Sequence, residues 1–360
     1  MKILEARNVN ELLALGADHL ALYGLPEESR AGPVVVSPTP VCSVYERPTE
    51  RVLFSQKRDA NPFFHLHESL WMLAGRDDAA SLNHYVGDFG ERFAESSGKI
   101  HGAYGRRWRG GLGVDQLDEV VEKLRKNPGD RQCVVQMWDA VGFDDLVGNW
   151  RDRPCNTHVY LRVRQEQAPQ VDGAPFFSSL KAPVLDLTVL CRSNDIVWGA
   201  YGANAVHFSM LQEYLAGRVG VKVGRMYQFS NNYHGYVDAL DRLGEPHLLF
   251  EEHDPYECGE VYPVAIGEDW EHWDEDVRHY MDWHDHGLWS RPTDSVDVDP
   301  PDGFYNMNFF VGVAGAMAAC NWLWKQGRRY EALRNTASIK ASDWQRAAQE
   351  WMARRMERAK

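Results

Sequence analysis

LDLTVLCRSNDIVWGAYGANAVHFSML, residues 185–211, changes character twice along its length. Its first part is apolar and rich in β-branched side chains, as a buried strand requires. Arg192 and Ser193 end that strand, Asp195 follows, and glycines then lead to Asn204. From there, residues 205–217 place apolar side chains at helical spacing and close on a glycine. A strand, a polar corner and a helix thus follow one another. An arginine fork beside a hydroxyl at such a corner can hold a phosphate.

Similar signals flank this stretch on both sides. RPCNTHVYLRV (153–163) alternates like a strand, with Val159, Leu161 and Val163 facing a core. RQCVVQMW (131–138) is apolar enough for a buried strand, and 221–230 reads as another, followed by the polar cluster SNNYHGY (230–236). Helical spacing marks 10–23, 65–74 and 113–126. The last puts Leu117, Val120, Val121 and Leu124 on one face and stops at Asn127-Pro128-Gly129. A long connection spans 165–183. Composition turns acidic, with Trp, His and Pro, from about 251 to 302, which reads as a surface insertion and not a second domain. A helical tail runs from 314 to 358, amphipathic at its end through Trp344, Ala347, Trp351 and Met352. Strands and helices mixed over one continuous stretch predict a single α+β or α/β domain over 1–360.

Bulk properties narrow the function. The net charge of −13 argues against a general nucleic-acid binder, and no apolar run approaches the roughly 18 residues of a membrane span. The N-terminus lacks a signal-peptide core. Six scattered cysteines without C-x-x-C pairs predict reduced thiols and a cytoplasmic protein.

Cys155, directly after a proline at the mouth of a strand, reads either as a nucleophile or as an inert buried thiol. Glu68 in HESLWMLAG sits on a helix among apolar neighbours, where a carboxylate can relay protons. The co-linear motifs HESLWMLAG, HGAYGRRWRG, GDRQCVVQMWD, RPCNTHVY, LDLTVLCRSNDIVWGAYGANAVHFSML and GRMYQFSNNYHGY decide between these readings. Together they resemble thymidylate synthase and the related pyrimidine-nucleotide hydroxymethylases found especially in bacteriophages. The match spans roughly 62–240 and fades before about 50.

The resemblance implies an α+β fold with a large mixed β-sheet flanked by helices. It makes Cys155 the nucleophile that adds to C6 of a pyrimidine, and Glu68 the acid that organises proton transfer. Tyr104 and Asp195 would support the folate and the reacting centre. Arg192 and Ser193 would hold the nucleotide phosphate, joined by Arg131 from a partner subunit. Asn204 would read the base, while His234 and Tyr236 would hold the deoxyribose hydroxyl. The implied co-substrates are a pyrimidine deoxynucleotide monophosphate and 5,10-methylenetetrahydrofolate. The implied assembly is a homodimer, with no metal, nucleic acid or membrane involved. The chemistry is coherent by itself: a thiolate adding at C6 makes C5 nucleophilic toward a one-carbon unit. Arginines around the phosphate would favour that thiolate.

Departures from the synthase pattern favour hydroxymethylation. Asn156 follows the nucleophile where synthases carry histidine. Phe89-Gly90 replaces a tryptophan of the cofactor site, so water can reach the methylene intermediate. The helical tail replaces the C-terminus that closes over folate. Gln132 replaces the second arginine of the usual pair. An inserted residue in GAYGAN leaves Ala203 as an alternative to Asn204, with uracil preferred over cytosine as the base. Arg47 and Arg51 are candidates for a further phosphate arginine. The competing readings are a methylating synthase, a catalytically silent nucleotide-binding paralogue and a DNA cytosine methyltransferase. The last lacks a glycine-rich cofactor loop and a basic face. The histidines and acids of 272–287 match no metal-ligand spacing.

Overall fold

A computed structural model of the chain describes residues 1–167, 181–295 and 298–358. Eight strands build one sheet: β1 (Lys2–Ala6), β2 (Leu25–Ser29), β3 (Gly32–Val36), β4 (Val41–Tyr45), β5 (Val134–Gln136), β6 (Asn156–Gln167), β7 (Lys181–Asp195) and β8 (Lys222–Tyr236). The order is β1-β4-β8-β7-β6-β5, and the β2–β3 hairpin adds to β8 through β3. β1/β4 and β7/β8 are parallel and the other pairs antiparallel, so the sheet is mixed.

The long strands β6, β7 and β8 form the middle. Along β6, Val159 and Leu161 turn inward while Tyr160 and Arg162 are exposed; Leu185, Leu187, Val189 and Cys191 of β7 are buried. Two sequence expectations change here. The strand read over 131–138 is only β5, with Val134 exposed and Val135 buried, because it lies at the sheet edge and covers one face alone. The cluster SNNYHGY lies inside β8, not after it, since β3 and β7 extend the pairing to His234 and beyond. The connection read over 165–183 falls largely outside the described residues.

The helices used below are α1 (Val9–Tyr23), α2 (Pro62–Leu73), α3 (Gln116–Lys126), α4 (Asn204–Val219), α5 (Trp273–Asp282), α6 (Ala316–Lys325) and α7 (Ser342–Glu357). Asp115 caps α3 by accepting from the backbone N–H groups of Leu117 and Asp118. The four apolar residues predicted for its face are all buried, each worth roughly 1.5–3 kcal/mol. Helix α4 lies against β7, β8 and α2, and α7 covers α2 from behind, where Trp351 meets Phe63 edge to face at 5.5 Å.

Helix α4 runs through Gly217 and stops at Gly220, whose φ of +84° is the left-handed cap that glycine adopts without strain. Gly217 is small for another reason: a Cβ there would collide with the Trp270 ring. Trp270 belongs to the acidic stretch 251–302. That stretch differs from the expected surface insertion, because Tyr256, Trp273, Tyr280, Trp283 and Leu288 join the main core cluster. Most of its acids are on the surface, but Asp276 is buried and accepts from the Asn306 backbone N–H and side-chain amide. The segment Met307–Lys325 likewise corrects the reading of apolar runs. By length and composition it could span a bilayer, at mean hydropathy 1.2, yet 78% of that window is buried inside the protein.

Candidate active site

A cavity of about 520 Å³ opens where α2, α4 and the ends of β6, β7 and β8 converge. Cys155, Glu68, Tyr104, Ser193, Asp195, Ala203, Asn204, Tyr236 and Phe89 all line it. Residues more than a hundred positions apart are thus brought together, and the cavity has two kinds of wall. Phe64, Trp71, Phe89 and Phe93 make one side aromatic, whereas Ser193, Asp195, Asn204 and Tyr236 make the other polar.

Cys155 stands at the entrance to β6, and the turn before it is pinned from two directions. The Arg192 backbone N–H donates to the Cys155 carbonyl at 2.8 Å, and Arg192 Nε and Nη2 donate to the carbonyls of Pro154 and Arg153. Trp138 Nε1 donates to the same Pro154 carbonyl at 2.9 Å. Arg192 does favour the thiolate, as expected, but burial outweighs it. Burial pushes the thiol above its ordinary value and Asp152 and Asp195 add to this, while Arg192 pulls it down only in part. Alkylation of Cys155 by iodoacetamide is therefore expected to show a midpoint above the ordinary thiol value of about 8.5. Arg192→Gln should move that midpoint higher still. A pH profile of inactivation, with Cys155→Ser as the blank, measures both; a midpoint below 8.5 contradicts the arrangement.

Tyr104 packs in parallel against Phe208, and its phenol oxygen accepts the Asn156 backbone N–H. The Asn156 side chain does not line the cavity. It is fully buried, and neither amide atom has a protein partner among the described residues. Asp195 closes the corner after β7, accepting from the N–H groups of Val197 and Trp198 at 3.0 and 2.6 Å. Burial raises its carboxyl above the usual range. His234 is its partner across β7 and β8 and meets the Tyr236 ring edge to face.

Asn204 is buried and does not cap the N-terminus of α4; its Nδ2 donates to Asn194 Oδ1 at 3.1 Å. Asn194 in turn donates to Gln228 Oε1 and Ser230 Oγ, so a chain of buried amides fixes how Asn204 faces the cavity. Ala203 also lines the cavity but carries no reading group.

The arginines divide. Arg131 is exposed just before β5 and lies away from the cavity lining. Arg51 is buried in an ion pair with Glu213, and Arg47 borders a separate cleft with Arg7 and Glu50. Neither is positioned as sequence suggested. Instead, the β2–β3 hairpin brings Ser29 into hydrogen-bond contact with the Tyr236 phenol and Arg30 into its electrostatic neighbourhood. Arg58, unremarked in the sequence, lines the cavity over the Trp198 ring, and burial lowers its guanidinium to about 10.

His207 was also missed. It lines the cavity with its Nε2 2.9 Å from Glu68 Oε2. Its signal was available, since a residue three positions after Asn204 shares its helix face. Elsewhere, His253, Cys258 and Glu260 lie close enough to hold a metal, but all are exposed and Glu260 already pairs with Arg346.

A cysteine, a buried carboxylate, a fixed amide and a polar corner gather around one cavity, the set of groups an enzyme of pyrimidine nucleotides needs. The thymidylate synthase family model matches residues 50–255, and the chain belongs to that family. Among curated relatives, it is 39% identical to the deoxyuridylate hydroxymethyltransferase of Pseudomonas phage M6, over 99% of this chain and 95% of the relative. It is 34% identical to the deoxyuridylate hydroxymethyltransferase of Bacillus phage SP01, over 55% and 50%. It is 31% identical to the thymidylate synthase of Streptococcus suis, over 36% and 41%.

Proposed function

We propose that the chain transfers a one-carbon unit from 5,10-methylenetetrahydrofolate to C5 of dUMP and releases 5-hydroxymethyl-dUMP. The observation that carries this is the reach of the similarity. The phage M6 hydroxymethyltransferase matches nearly the whole chain, including the acidic stretch and the helical tail, whereas the S. suis synthase matches about a third. The aromatic wall suits the flat rings of folate, and the polar wall suits a nucleotide.

Cys155 adds through sulfur to C6, and the amide-fixed Asn204 reads the uracil edge. Arg192 and Ser193 hold the phosphate, joined by Arg30 in place of Arg47 or Arg51. His234 and Tyr236 hold the sugar hydroxyl; Asp195, Tyr104 and Phe89 border the folate. Folate supplies the methylene group. Glu68 handles protons at the ring, and Asn156 supports Tyr104 through its backbone. The chain works as one catalytic domain without a metal.

The sheet face that carries the exposed Val134 and Tyr160 beside the half-buried Thr188 and Tyr227 suits a second copy. That homodimer would let Arg131 reach the partner's phosphate. The phage relatives support the cytoplasm of an infected host as the place of action, with no nucleic acid or membrane as partner.

Mass analysis of the nucleotide formed from dUMP and methylenetetrahydrofolate tests this reading. A product heavier by the hydroxymethyl group, without dihydrofolate, is expected. A methyl product with stoichiometric dihydrofolate overturns it.

A further inference from the structure

We infer that His207 is the base that activates the water captured by the methylene intermediate; the inference rests on the hydroxymethylation reading above. His207 and Glu68 are both more than nine-tenths buried and line the same cavity as Cys155. Their closest atoms, Nε2 and Oε2, are 2.9 Å apart. Their approach departs from hydrogen-bond alignment. Glu68 Oε2 and both ring nitrogens of His207 therefore lack a completed hydrogen bond among the described residues. Three such atoms in one corner of a cavity form the kind of setting in which a buried water is held, since such waters make about three hydrogen bonds to otherwise unpaired groups.

The other candidates are poorly suited. The Asn156 amide is no base and lies outside the cavity lining. Cys155 is bonded to C6 when water attacks. His65 also lines the cavity, but burial, helped by the charges of Arg58 and His207, holds its pKa well below the imidazole range. That makes His65 a poor proton acceptor.

The step balances without an oxidant or reductant. Tetrahydrofolate has left, and C5 carries an exocyclic methylene conjugated to the C4 carbonyl. Water oxygen bonds to the methylene carbon as its proton passes to His207, with Glu68 beside the imidazolium that forms. The C5–methylene π pair moves onto C5 and O4. That pair then forms the C5–C6 double bond and expels the Cys155 thiolate. His207 finally returns its proton to solvent.

The test follows two signals in one reaction, tritium release from C5 of labelled dUMP and formation of hydroxymethyl product, with 2-mercaptoethanol as a competing nucleophile. In His207→Asn and His207→Gln, product formation is expected to fall by about 10²-fold or more. Tritium release should stay within about threefold of wild type, and a thioether at the C5 methylene should become the main product. Parallel falls in release and product, without thioether, overturn the assignment. So does loss of dUMP binding in both variants, which marks a structural histidine. Wild-type enzyme that makes methyl nucleotide and dihydrofolate contradicts the hydroxymethylation reading instead, so the two failures are distinguishable.

Discussion

Cys155→Ala is expected to abolish C5 tritium release from dUMP, by on the order of 10⁴-fold or more, while leaving dUMP binding nearly intact. The size follows from the chemistry: without sulfur addition at C6, C5 has no carbanion character, and no other residue supplies it. Cys191 is no substitute, being fully buried in β7. The expected retention of binding follows from the cavity walls, because Ser193, Asn204 and Tyr236 are positioned by β7, β8 and α4 and not by the thiol. Removing the sulfur also leaves the turn in place, since Arg192 and Trp138 grip only its backbone carbonyls. Tritium release, with dUMP affinity measured by calorimetry on the same preparation, checks both halves. Release above about a hundredth of wild type contradicts the role of Cys155, and a silent binding protein would show no release even before substitution.

The parts of this fold that sequence makes legible are those where periodicity and burial coincide. Val159 and Leu161 alternate on β6, and Leu117 to Leu124 share one face of α3, because each element buries a single side. The acidic stretch 251–302 was misread for the opposite reason. Its average composition is polar, but Trp270, Trp273, Tyr280 and Trp283 are spaced so that each reaches the core separately. No window average reports that. Within the site, Cys155, Glu68, Asn204 and His207 all sit in motifs; spacing puts His207 on the face of Asn204, but only the packing of α2 against α4 shows that it meets Glu68. Arg30 shows a similar limit. Its hairpin is short and exposed along β2, and only the pairing of β3 with the far end of β8 brings it into the electrostatic neighbourhood of Tyr236.

Arg107, the residue before the last of HGAYGRRW (101–108), shows how a motif can carry structure alongside chemistry. It is fully buried, and its guanidinium meets both oxygens of the equally buried Asp145, at 2.6 and 2.9 Å. It also donates to the carbonyls of Met137 and His101, lies 4.1 Å from the Phe143 ring, and shares Asp145 with His101 Nε2. Asp145 in turn accepts the Asp139 backbone N–H at 2.9 Å. These bonds tie down the irregular segment between β5 and β6, which ends at Cys155. Arg107→Met is expected to cost about 3–5 kcal/mol, since it leaves a buried carboxylate without its cation. Against a domain stability of about 5–15 kcal/mol, that is a large share. Adding Asp145→Leu should restore much of the loss, because the penalty comes from the stranded charge. A pH signature accompanies this. Burial alone would raise the Asp145 carboxyl, but hydrogen bonds, first from Arg107, hold it below the ordinary carboxylate value. The contribution is therefore full above about pH 4, the unfolded value, and fades as pH falls through the lower folded value. Urea unfolding of the three proteins between neutral pH and pH 3 measures it. A single variant losing under about 1 kcal/mol, or a double variant no better than the single, contradicts this role for the pair.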